Sequence, residues 1–87
     1  MAKFMISYDL VKRKDYPKLW DELDRIGAHK ALDSLYLLAI NNTAVEVRDH
    51  LQAFIDDDDR LMVIEFTKKP TYNRALKGTN AWIDANF

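Results

Sequence analysis

The sequence predicts an α+β sandwich, one β-sheet with two helices packed on one of its faces. Three observations carry this expectation. Segments of period-two apolarity alternate with segments of helical apolarity in the order strand, helix, strands, helix, strand. The connections between them are short, and short connections with right-handed crossovers leave few topologies open. The chain has 87 residues, which is enough for one hydrophobic core and one domain.

The bulk composition narrows the class. Hydrophobic residues make up 48% and charged residues 31%, a balance that suits a folded soluble chain and not a disordered one. There is no cysteine, so neither a disulfide nor a thiolate metal site is expected, in keeping with a reducing compartment. No apolar run approaches the roughly 18 residues of a membrane span, and no leader pattern opens the chain. A soluble, cytoplasmic protein with no membrane partner is therefore expected. A net charge of -1 means that any nucleic acid would have to meet a local basic patch.

The first strand is Lys3-Phe4-Met5-Ile6-Ser7-Tyr8-Asp9-Leu10. Phe4 and Ile6 fall on one face and Met5 on the other, and a strand apolar on both faces is a central one. Asp is a poor strand former, so Asp9 has two readings. It either starts the turn, or it is a carboxylate set on a rigid element and aimed at a metal ion. The basic loop Val11-Lys12-Arg13-Lys14 follows directly; it is either solvated or within reach of a phosphate backbone. Asp15 is a good N-cap for the first helix, and Pro17 sits in the first turn, where its missing N–H costs nothing. Leu19, Trp20, Leu23 and Ile26 form the apolar stripe, while Asp21, Glu22, Asp24 and Arg25 are expected on the wet side. Gly27 is expected to end the helix in a left-handed conformation.

Residues 28–40 read as two strands, or as one long strand bent near Asp33-Ser34. Asn41-Asn42 is a turn, and Thr43 with Glu46 has the capping-box spacing. The second helix is expected to run to about Ile55, with Val47, Leu51, Phe54 and Ile55 buried. The acidic run at residues 56–59 reads as a solvated loop, because consecutive carboxylates rarely converge on a cation. Residues 61–67 form the last strand, with Met62, Ile64 and Phe66 opposite Leu61, Val63 and Glu65. This order gives a ferredoxin-like βαββαβ sheet with both helices on one face. The other face is left open, and Met5, Leu61, Val63 and parts of residues 35–40 are its candidates. An open apolar face on so small a domain reads as an interface, so a homodimer is expected.

Residues 68–87 form an extension to the 1–67 domain. Thr71 can cap a short helical turn carrying Tyr72, Ala75 and Leu76, terminated by Gly78. Thr79 or Asn80 can then cap a last helix with Trp82, Ile83 and Phe87 on one side. Such large apolar residues must dock, either on the same core or across a dimer.

Met5-Ile6-Ser7-Tyr8-Asp9-Leu10, the helix ending at Gly27-Ala28, and Leu32-Asp33-Ser34-Leu35-Tyr36 together resemble the Cas2 family and its relatives, the VapD ribonuclease toxins. The likeness covers roughly residues 3–67. These families open with an apolar strand ending in an aromatic-Asp-aliphatic triplet, and carry a Ser followed by two apolar residues after the first helix. Leu32 stands where their pattern usually has a polar residue, and the tail lacks their short closing strand. The resemblance implies a ferredoxin-like homodimer whose first-strand Asp, here Asp9, binds Mg²⁺ with its symmetry mate. It places the family's Ser at Ser34. It further implies a metal-dependent endonuclease on RNA or DNA. The alternative is a non-catalytic dimeric scaffold for nucleic acid or for a protein partner, a role also carried by family members.

One carboxylate is too few to hold Mg²⁺, so a twofold axis would have to bring Asp9 and its copy together. Lys12, Arg13 and Lys14 would then hold the backbone, and Ser34 would donate a hydrogen bond to phosphate or to a metal-bound water. Tyr8 and Tyr36 read either as rings that stack on bases or as sheet packing. Trp20, Phe54 and Phe66 read as core. His29 and His50 lie in different elements and read as surface or edge residues, and no Gly-rich phosphate loop is present.

Overall fold

The computed structural model describes residues 1–11 and 16–87. The expected N-cap Asp15 and the basic residues Lys12, Arg13 and Lys14 lie outside the described residues. The elements are β1 (Ala2–Asp9), α1 (Tyr16–Arg25), β2 (His29–Leu32), β3 (Leu35–Ile40), α2 (Ala44–Gln52), β4 (Arg60–Phe66) and α3 (Thr79–Asn86). The four strands form one antiparallel sheet in the order β2-β3-β1-β4. With two crossover helices on one face, this is the ferredoxin-like α+β sandwich. The long apolar segment is two strands, and the turn between them is Asp33-Ser34.

The helix-bearing face holds the main core. Phe4, Ile6 and Tyr8 of β1, Tyr36 and Leu38 of β3, Leu19 and Leu23 of α1, and Val47 and Leu51 of α2 are all buried in it. Leu61 and Val63 pack against this same cluster. They therefore do not lie on the open face, as the sequence reading had them. The registers Ile6↔Val63 and Tyr8↔Leu61 decide this, because paired residues share a face. Met5 is on the other face as expected, paired with Ile64.

Local signals set most element ends. Gly27 has φ 84, and Ala28 N–H donates to Leu23 C=O at 2.9 Å while Gly27 N–H donates to Asp24 C=O at 3.1 Å. That is a complete Schellman closure. The capping box is also formed, with Glu46 N–H donating to Thr43 Oγ1 at 3.1 Å and Thr43 N–H to Glu46 Oε1 at 2.8 Å. These bonds hold the Glu46 carboxyl below its usual range, the Thr43 backbone donor first. α2 stops at Gln52, short of Ile55, yet Phe54 and Ile55 still pack on the core from the turns that follow.

The extension crosses the second face of the sheet. No regular helical turn forms at residues 71–77, and Gly78, with φ 93, is the N-cap of α3 and not a terminator. Leu76 N–H donates to Ala31 C=O at 2.8 Å, and the His29 ring meets Thr79 Oγ1 at 2.8 Å. Ile83 is 2% exposed in a small second core with Ala31 and Leu37, flanked by Met5, Phe66 and Trp82. The tail therefore docks on its own sheet. Among the described residues, no helix is long and apolar enough to cross a membrane.

Candidate functional site

Asp9 ends β1 opposite Arg60, the first residue of β4. Alternation along β1 sets Asp9 on the same face as Met5 and Ser7, away from α1 and α2. Its carboxylate is 73% exposed and has one loose partner, Arg60 Nη1 at 3.5 Å from Oδ2. An ion pair this exposed contributes little to stability. Asp9 and Arg60 share a shallow depression of about 220 Å³ with Ser7 and Met62. The extension and α3 cover the β2 side and the Lys3 end of this face, and among the described residues none packs over the Asp9 corner. Met62 and Ile64, which follow Arg60 along this face of β4 and pair with Ser7 and Met5, are 61% and 51% exposed.

The backbone at Val11 is tied down from β4's side. Asp59 accepts from Val11 N–H at 2.7 Å through Oδ1 and from Asp56 N–H at 2.8 Å through Oδ2. The end of the acidic run is thus a structural brace and not wholly a solvated loop. Among the described residues, no group of three His, Asp or Glu side chains could hold a metal ion. Among the described residues, the carboxylate that one copy of the chain brings to this depression is Asp9.

Ser34 lies at the same end of the sheet, and its carbonyl accepts from Tyr8 N–H at 3.3 Å. Its side chain, however, lines a cleft on the helix side with Leu10, Tyr16, Pro17, Trp20, Lys30 and Asp33. Within one subunit, Asp9 and Ser34 therefore address opposite faces of the sheet. Tyr8 and Tyr36 are 4% and 2% exposed, so the packing reading is the one their burial supports. Burial raises the pKa of both phenols.

Two features escaped the sequence reading. Trp20 is half-buried and forms the wall of the helix-side cleft; its N–H donates to Tyr8 Oη at 2.6 Å, and Tyr8 donates on to Asp33 C=O at 2.9 Å. Glu22, expected on the wet side, has a side chain only 5% exposed. It accepts from Arg25 Nε at 2.6 Å and Nη2 at 2.5 Å, and pairs with His50 of α2. The Arg25 guanidinium and then His50 pull its carboxyl down to about 2. The signal was its spacing, three after Leu19 and one before Leu23, which falls within the buried arc. By architecture the chain is a small ferredoxin-like domain with a helical tail folded back on its own sheet. No protein-family model matches it.

Proposed function

We propose that the chain works as a Cas2- or VapD-like homodimer that cleaves RNA or DNA with a divalent metal ion held between two copies of Asp9. The observation that carries this reading is the company Asp9 keeps. An exposed carboxylate at the end of a strand shares the open part of the second face with two exposed apolar side chains, Met62 and Ile64. Apolar contacts around a twofold axis on that corner would seat the dimer and bring the two acids together.

The alternative docking, edge to edge through β4, does not serve. At about 3.3 Å per residue and about 4.8 Å between strands, a continuous sheet centred on Val63 would hold the Asp9 pair some 25 Å apart. The shared site therefore needs the faces to meet. When bound, Mg²⁺ would polarise a phosphoryl oxygen and activate a water. Arg60 is placed to release Asp9 to the metal and turn its guanidinium to a phosphate. Lys12, Arg13 and Lys14 follow Asp9 in sequence after Leu10 and Val11, and would supply the local positive charge that the chain as a whole lacks.

The test pairs cleavage with assembly. Purified protein with Mg²⁺ or Mn²⁺ is expected to cut RNA or DNA, and Asp9→Asn to abolish cutting without loss of the dimer in a sizing column. Met62→Lys is expected to lose both. Cleavage that survives Asp9→Asn would end the nuclease reading. A second reading, a dimeric nucleic-acid adaptor or protein scaffold, is favoured by the Arg60–Asp9 pair, which gives the acid a partner with no metal at all. Binding without cleavage is its signature.

A further inference from the structure

The helix-side cleft is an aromatic-walled groove that the Asp9 chemistry leaves unused. It has a volume of about 510 Å³, within the usual range of small-ligand sites, about 300–1,000 Å³. The geometry points to this cleft as a binding site for one nucleotide of single-stranded nucleic acid, its base against Trp20 and its phosphate on Lys30. This deepens the nucleic-acid reading above by naming the form of the ligand, and it does not use the metal site.

Four observations support it. First, the indole is held in place: its N–H is spent on Tyr8 Oη at 2.6 Å, and Tyr8 is itself anchored to the Asp33 carbonyl at 2.9 Å. A ring already ordered loses little entropy when a base stacks on it. Second, Tyr16 stands beside it with ring centroids 5.5 Å apart and planes at 48°, and its hydroxyl is hydrogen-bonded to the Leu10 backbone. The two rings make a rigid corner. Third, Lys30 Nζ lies 4.1 Å from the centre of the Trp20 ring. A lysine on a flexible stem can move from the ring to a phosphate while the base takes its place. Fourth, the far wall holds the exposed Ser34 and Asp33, a hydroxyl and an acceptor suited to a sugar or a base edge. Stacking on aromatic rings tolerates any base, so the groove would read single-strandedness and not sequence.

The chain has two tryptophans, so Trp82→Phe leaves Trp20 as the sole indole reporter. In that background, titration with a short oligoadenylate and with AMP is expected to quench the emission saturably. Lys30→Ala should weaken binding about tenfold, in line with loss of a phosphate contact. Trp20→Phe keeps an aromatic in the same packing position; Trp20→Leu, read by anisotropy of a labelled oligonucleotide, should weaken binding by roughly ten- to a hundredfold. Melting curves of each variant control for folding. No quenching by either probe would overturn the proposal, as would an affinity unchanged from the parent's in Lys30→Ala or in Trp20→Leu. Displacement by pyrophosphate as readily as by AMP would also overturn it, because the base would then contribute nothing. Asp9→Asn is expected to leave the quench intact, so failure of the nuclease reading and failure of this one are separable.

Discussion

The Trp20 indole N–H donates to the Tyr8 hydroxyl at 2.6 Å, joining α1 to the central strand through a relay of polar groups that ends at the β2–β3 turn. Tyr8 is 4% exposed, so its hydroxyl both donates and accepts where water is scarce. Tyr8→Phe keeps the ring and strips the relay, leaving the Trp20 N–H and the Asp33 carbonyl without that partner. An unsatisfied buried group costs about 1–3 kcal/mol. The urea midpoint should fall accordingly, with the slope of the transition unchanged. A variant as stable as the parent would show that both groups reach water.

The acid limb of stability should trace to Glu22. Its carboxyl is held at about 2 in the fold, against an ordinary 4.5, so the folded state favours the charged form. Such a group contributes stability that is fully present above its ordinary value and is lost as pH falls through the folded one. Urea midpoints measured from pH 6 down to pH 2 should therefore drop most steeply below about pH 4.5. In Glu22→Gln that limb should be flatter, with the midpoint already lowered at pH 6, where Arg25 and His50 have lost their anion. An unchanged pH profile would assign the acid sensitivity to other carboxylates.

The two glycines separate backbone strain from crowding. Gly27 and Gly78 have φ 84 and 93, and a Cβ at Gly27 would meet nothing within 4 Å, whereas at Gly78 it would come 3.2 Å from His29 Cε1. Gly27→Ala should cost the left-handed penalty alone, about 1 kcal/mol. Gly78→Ala should cost more, and it should disturb the His29–Thr79 contact that seats α3, visible in the His29 ring resonances. Equal losses would mean that the imidazole gives way freely.

The second face is divided into a sealed part and an open part, and alanine substitution should map the boundary. Ile83 is 2% exposed and Ile64 is 51% exposed. Ile83→Ala leaves a cavity between α3 and the sheet and should cost about 2–5 kcal/mol. Ile64→Ala should stay within about 0.5 kcal/mol for an isolated subunit. If Ile64 is covered in a dimer, its loss should instead appear as weaker association at constant monomer stability, read from a dilution series.

Much of this fold is legible in the sequence. The two-residue alternation of β1 and β4, the stripe of α1, the Gly27 stop and the Thr43–Glu46 box all reflect relations between residues a few positions apart. Asp9 could likewise be singled out as a carboxylate ending a strand. The partners of Glu22 and Trp20 could not, since His50 and Tyr8 come from other elements. The helical turn expected at residues 71–77 does not form; the segment lies against the sheet, with its Leu76 N–H spent on the Ala31 carbonyl of β2 and not on a carbonyl of its own turn.

By itself, the sequence determined the kinds and order of the elements, because helix and strand periods, caps and left-handed stops are local properties of the chain. Only the tertiary structure decided which strand faces meet the helices, where the tail lies, and that Asp9 and Ser34 look out on opposite sides. Those outcomes depend on register between β1, β3 and β4, and register is a contest among residues far apart in the chain.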